Sequence, residues 1–180
     1  METQTLFSVP PASLDEALWE ADRVRSFIIE EAHDVDFPAP PEGKWSIEDI
    51  LYHLHLVERG SASAIRKVIE GEKGERLSDE ALLKMWQRMN KLVPTRSIKI
   101  PAPDGVSPKD TPSRADCIKF LGESRARLYE HCSKATTNDL LQASFPHPVL
   151  GQLAGLYWIT FIAMHEARHL EQIREIRQQG

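Results

Sequence analysis

The sequence is short of cysteine, of strand-like runs and of long apolar stretches, and each shortage excludes a class of protein. Two cysteines in 180 residues, Cys117 and Cys132, make no disulfide framework. On one helix they would stand roughly 22 Å apart along the axis, too far to bond to each other. The longest nearly apolar segment, Leu153 to Met164, is 12 residues long and broken by Gly155 and Thr160, well short of a membrane span. The opening METQTLFSVPPAS carries Glu2 and no basic residue, unlike a secretory leader. Positive charge is short too: 22 Lys and Arg stand against 27 Asp and Glu, for a net charge of −5. The basic residues are scattered, which argues against a nucleic-acid groove or an anionic membrane surface. The expectation is one domain over residues 1–180, cytoplasmic, with no nucleic-acid and no membrane partner.

What the chain does have is helical periodicity. Ser13 with Glu16 reads as a capping box, and Leu14, Ala17, Leu18, Ala21, Val24 and Ile28 recur at three and four. That helix ends in Phe37-Pro38-Ala39-Pro40-Pro41, where proline removes a donor and clashes with the preceding turn. Ser46 with Asp49 opens a second helix carrying Ile47, Ile50, Leu51, Leu54, Val57, Ile65 and Val68, closed by Gly71 and Gly74. Ser78 caps a shorter one from Asp79 to about Leu92. Residues Pro94 to Pro112 then hold five of the twelve prolines and read as a loop, either a lid or contact arm or simply disordered. Ile98 and Ile100 could pair within it as an extended arm.

Thr111-Pro112 offers an N-cap and an N1 proline for a third long helix, with Ala115, Ile118, Phe120, Leu121, Leu128 and Tyr129 facing inward. A short helix near Asn138 to Leu141 precedes Phe145-Pro146-His147-Pro148. The last helix is expected from about Gly151 to Arg177, with Arg168, Arg174 and Arg177 near its negative end. Trp19, Trp86 and Trp158 are expected in the core, and Trp45 as a hydrophobic staple ahead of the second helix. The economical architecture is all-α: an antiparallel four-helix bundle with a short extra helix and a long Pro-rich loop.

Histidine carries the chemistry. His165 and His169 lie four apart on the last helix, so both imidazoles project from one face and can grip one metal. Chance alone supplies roughly 0.3 such pairs at this histidine content, so the spacing is weak evidence by itself. The string His165-Glu166-Ala167-Arg168-His169 matches the zincin signature, but no third histidine follows it and no room is left for a downstream carboxylate. His53 lies beside the apolar stripe of the second helix, where it needs a buried partner, either a metal or a polar group of a neighbouring helix. One histidine there and the pair on the last helix can converge in a bundle core. His55 points away from His53 and reads as surface; His147 sits in a Pro-flanked loop that could approach the site. His33 and His131 read as exposed helix-end residues.

Trp45-Ser46, then Ile50-Leu51-Tyr52-His53-Leu54 with Glu58 beyond, resembles the second-helix motif of the DinB-like (YfiT-like) superfamily. His147-Pro148-Val149-Leu150-Gly151 leading into His165-Glu166-Ala167-Arg168-His169-Leu170-Glu171-Gln172-Ile173 is similar to that superfamily's last-helix motif. The likeness runs from about Leu14, and the stretch from Gly71 to Pro112 is longer than the family pattern. It implies a four-helix bundle with a three-histidine site for a divalent ion, zinc or nickel, formed by His53, His165 and His169. It also implies a homodimer.

Three neutral imidazoles leave such an ion an open position, the arrangement of a catalytic rather than a closed structural site. Gln172, three past His169, is placed to orient a ligating ring or else to sit exposed at the helix end. Glu166 is a candidate base or orienting group, against the plainer reading of a surface residue paired with arginine. No residue stands out as a protein nucleophile, and both cysteines read as buried small residues. The function expected first is therefore a metal-dependent transferase that joins a low-molecular-weight thiol to a small electrophilic substrate. A metal-dependent hydrolase of a small amide or ester, and a metal-binding stress-response module without turnover, are the alternatives.

Overall fold

The computed structural model describes residues 8–33, 37–71, 74–97 and 101–178; Ile98 and Ile100 lie outside them. The helices are α1 (Leu14–Ala32), α2 (Ile47–Ile69), α3 (Asp79–Leu92), α4 (Arg114–Cys132), α5 (Thr137–Gln142) and α6 (Gly155–Arg177). A 3-10 turn, Asp104–Val106, interrupts the proline-rich loop. α1, α2, α4 and α6 form the bundle: α1 packs along α6, and α2 lies against both α4 and α6. α6 is its most buried member, with every residue from Gly155 to Met164 inside.

Local sequence chemistry sets these boundaries. Ser46 and Asp49 make a reciprocal capping box, each side chain accepting from the other's backbone N–H at 3.1 and 2.9 Å. At α1 the box is incomplete: Ser13 caps Glu16, but the Glu16 carboxylate takes the Ala12 amide instead. α4 is capped by Ser113, two residues after the expected Thr111, because Ser113 has Asp116 three residues on and accepts its amide at 3.2 Å. Thr111 instead donates its hydroxyl to Asp49, tying the end of the loop to the start of α2.

The largest departure from expectation precedes α6. Residues Gly151–Ala154 are not helical; they pair antiparallel with Ser144–His147, Ser144 opposite Ala154 and His147 opposite Gly151. Gly151 enters this hairpin at φ +85°, a left-handed conformation that favours glycine. α6 then opens at Gly155, where a Cβ would meet Leu140 Cδ2 at 2.8 Å and Val68 Cγ1 at 3.0 Å. Glycine therefore lets α6 lie close to α2 and α5.

Trp19, expected in the core, lies at the surface. It is 61% exposed, off the buried stripe of Ala17, Leu18, Ala21 and Val24, and the Arg23 guanidinium lies over its ring at 5.1 Å. Trp86 is half-buried, and Trp158 is buried with its N–H donating to the Phe145 carbonyl at 3.2 Å. On α4 the inward face is Cys117, Leu121, Ser124, Arg125, Leu128 and Cys132, so Ala115 and Tyr129 are exposed. No helix among the described residues is long and apolar enough to cross a membrane.

Candidate metal centre

The bundle brings His53 of α2 and the i, i+4 pair His165 and His169 of α6 to one point. One ring nitrogen from each lies within 4.8 Å of the others. His53 and His169 are buried, and His165 is partly exposed. The ring centroids of His53 lie 5.1 Å from His165 and 4.9 Å from His169.

Hydrogen bonds select the nitrogens that face inward. His53 Nδ1–H donates to the Val106 carbonyl at 2.7 Å, which leaves its Nε2 as a bare acceptor. His169 Nδ1–H donates to Gln172 Oε1 at 2.9 Å, with the same consequence. Gln172 Oε1 also accepts from Arg96, which pairs with Glu175, so a second donor holds the amide oxygen toward the ring. His53 Nε2 and His165 Nε2 stand 3.3 Å apart. A tetrahedral ion with bonds of about 2.0–2.1 Å separates its donors by about 3.3–3.4 Å, so this spacing fits a shared ion. A single proton on His165 Nε2 satisfies one neighbouring lone pair at a time, whereas a cation satisfies all three.

Burial lowers the pKa of all three imidazoles, against the raising effect of the Val106 bond on His53 and the Gln172 bond on His169. For His165 and His169 the neighbouring imidazoles push the same way. The rings are thus neutral near pH 7, the form in which imidazole binds metal.

Aromatic groups wall the site. Trp45 lies 4.8 Å from the His53 ring and stacks on His169 at 6.2 Å, a contact beyond the staple its position suggested. Phe161 covers His165 at 5.4 Å and in turn carries His147 at 4.5 Å. His147 Nδ1 accepts the amides of Val149 and Leu150, so the turn fixes its ring one layer outside the triad. His55 is half-buried rather than free on the surface, donating Nδ1–H to the Phe120 carbonyl of α4. His33 is the exposed C-cap of α1, and His131 is half-buried in the last turn of α4.

Glu166 differs most from its plainer expectation. It is 1% exposed and sits in an ion network with Arg25 of α1, Glu58 of α2 and Arg125 of α4. Arg125 bridges Glu58 at 2.6 Å and Glu166 at 3.0 Å, and also reaches Asp22. Burial would raise the Glu58 carboxyl, but Arg25 and Arg125 outweigh it and hold the pKa low. At Glu166 burial prevails and the pKa rises. Glu166 Oε1 carries both arginine bonds; Oε2 is buried without a hydrogen-bond partner. The network joins all four bundle helices beside the triad.

A four-helix bundle with three imidazoles from two helices meeting in its core defines a class, the histidine-lined bundle able to hold a divalent ion. The model of the DinB superfamily matches residues 34–173, and the chain belongs to that superfamily. It is 27% identical over 140 residues to the uncharacterized protein YuaE of Bacillus subtilis (strain 168), covering 77% of this chain and 81% of YuaE. It also resembles the crystal structure of TT2238, a four-helix bundle protein, at a TM-score of 0.59 and 25% identity, over 89% of this chain and 98% of TT2238.

Proposed function

We propose that the protein is a divalent-metal-dependent enzyme that joins a low-molecular-weight thiol to a small electrophile. The observation that carries this reading is the pair of Nδ1 bonds, from His53 to Val106 and from His169 to Gln172, which turn two bare Nε2 atoms toward His165. When bound, zinc or nickel held by His53, His165 and His169 would supply Lewis acidity at an open position and lower the pKa of a thiol placed there. Val106 and Gln172 keep the rings in the ligating tautomer. Trp45 and Phe161 exclude water from the ring faces, and the partly exposed edge of His165 is the approach we assign to the substrate.

Two further observations favour thiol transfer. Burial pushes the Cys117 and Cys132 thiols up to about 11, so neither offers a thiolate near pH 7 and the nucleophile comes from a cosubstrate. Glu166, the candidate base for hydrolysis, is 1% exposed and tied to Arg25 and Arg125, away from solvent, which disfavours hydrolysis. The two free cysteines fit a reducing, cytoplasmic setting. A homodimer is part of the proposal, and light scattering at twice the chain mass tests it.

The test is conjugation of a model electrophile such as monochlorobimane with bacillithiol, mycothiol or glutathione by metal-loaded protein. Activity should require both metal and thiol and fall at least 100-fold in His53→Ala. Turnover without thiol, or none at full metal occupancy with any of the three, contradicts the reading.

A further inference from the structure

We propose that the cleft between α2 and α4 binds a small, doubly charged oxyanion, a phosphate ester or a dicarboxylate, at a site separate from the histidine centre. The cleft encloses about 560 Å³, within the range of small-molecule sites and far too small for a nucleic-acid duplex. Arg59, Arg66, Arg127 and His131 line it, together with Ser63 and Gly60, and no carboxylate does. Three guanidinium groups on one cleft stand out on a chain whose net charge is −5. Arg66 is shared with Glu70. Arg59 and Arg127 are exposed, and neither has a hydrogen-bond or ion-pair partner among the described residues.

Like-charged guanidinium groups lining one cleft raise its positive potential, and an oxyanion bound there lowers it through forked N–H donors. An adjoining hollow of about 340 Å³ shares Arg59 and Arg127 and includes Glu123, so the positive region has a boundary on that side. A Cβ on Gly60 would meet nothing within 4 Å, so packing does not demand glycine there, and its absence of a side chain keeps the cleft open. The cleft also touches the centre: Val106 lines it, and the Val106 carbonyl accepts from His53. An occupant therefore contacts the turn that orients a triad ring.

Calorimetric titration of the metal-loaded protein at low ionic strength, with inorganic phosphate, glycerol phosphate and glutarate, tests the site. Saturable binding of at least one is expected, at least tenfold weaker in Arg59→Gln and Arg127→Gln and lost in Gly60→Glu. Gly60→Ala, which adds no charge, should keep it and serves as the folding control. Binding should persist in His53→Ala, which separates this site from an anion held at a metal. Stronger binding of glycerol phosphate or of glutarate names the phosphate or the carboxylate as the group recognised. No binding by any of the three, unchanged affinity in Arg127→Gln and Gly60→Glu, loss in His53→Ala, or a single-stranded oligonucleotide binding more than 100-fold tighter would each overturn it.

Discussion

Gln172 accepts the Nδ1–H of His169 at 2.9 Å, three residues along the same helix, and this bond decides which nitrogen of His169 faces the other two rings. Removing the acceptor frees the ring to turn and to exchange tautomers. Gln172→Leu should therefore weaken metal binding by roughly 10- to 100-fold, measured by competition with a chromogenic chelator. The thermal midpoint of the metal-free protein should move little, because Gln172 is only half-buried near the end of α6.

Burial also makes the metal-free protein sensitive to acid. The pKa values of His53, His165 and His169 lie below the ordinary 6.5, and that of His147 falls to about 4. As pH drops below 6.5 the unfolded chain takes up protons that the folded chain refuses, so stability present above pH 6.5 is lost on the way down. For His147 the loss runs from about pH 6.5 to 4 and amounts to about 2 kcal/mol after allowing for its exposed edge. Urea midpoints at pH 7.5 and 5.0 should show the decline. His147→Asn, which keeps an acceptor for the turn amides, should show a smaller one.

The ion network predicts a different signature. Arg125→Met leaves Glu58 and Glu166 buried with one guanidinium between them and should cost about 3–5 kcal/mol in urea unfolding. Glu166→Gln should also destabilise, by removing one of the three carboxylates that face Arg25 and Arg125. Activity per folded molecule of Glu166→Gln distinguishes support of the fold from proton transfer. It should stay within a few-fold of wild type.

Neither cysteine should matter to turnover. Cys117→Ala and Cys132→Ala should retain thiol conjugation, and both thiols should resist iodoacetamide at pH 7.5 until the chain is unfolded. Loss of activity in a folded Cys→Ala variant would instead point to a protein nucleophile.

The legible part of this site lay in side chains at helical spacing. His165 and His169 announce a shared face, and His53 beside an apolar stripe announces a buried polar group. Four charged residues also lie on or beside apolar stripes and were open to the same reading. Arg25 follows Val24, Arg125 lies between Leu121 and Leu128, Glu58 is four past Leu54, and Glu166 is four from both Ile162 and Leu170 on α6. Charges so placed must pair inside a bundle. The Val106 carbonyl left no such trace, since a backbone acceptor on a loop has no residue-type signature. The hairpin at Ser144–Ala154 was masked because its second strand runs directly into the apolar start of α6. An aromatic at helical spacing is ordinarily inside, but Trp19 is exposed and Arg23 covers it.

X-ray absorption at the metal edge, with metal content measured on wild type and on His53→Ala, His165→Ala and His169→Ala, decides whether these three imidazoles hold a metal. One zinc or nickel per chain, three nitrogen scatterers at about 2.0–2.1 Å and occupancy lost in each variant are expected. A wild-type protein that stays metal-free at neutral pH with micromolar zinc or nickel supplied, or one whose metal survives the loss of His53, would contradict it.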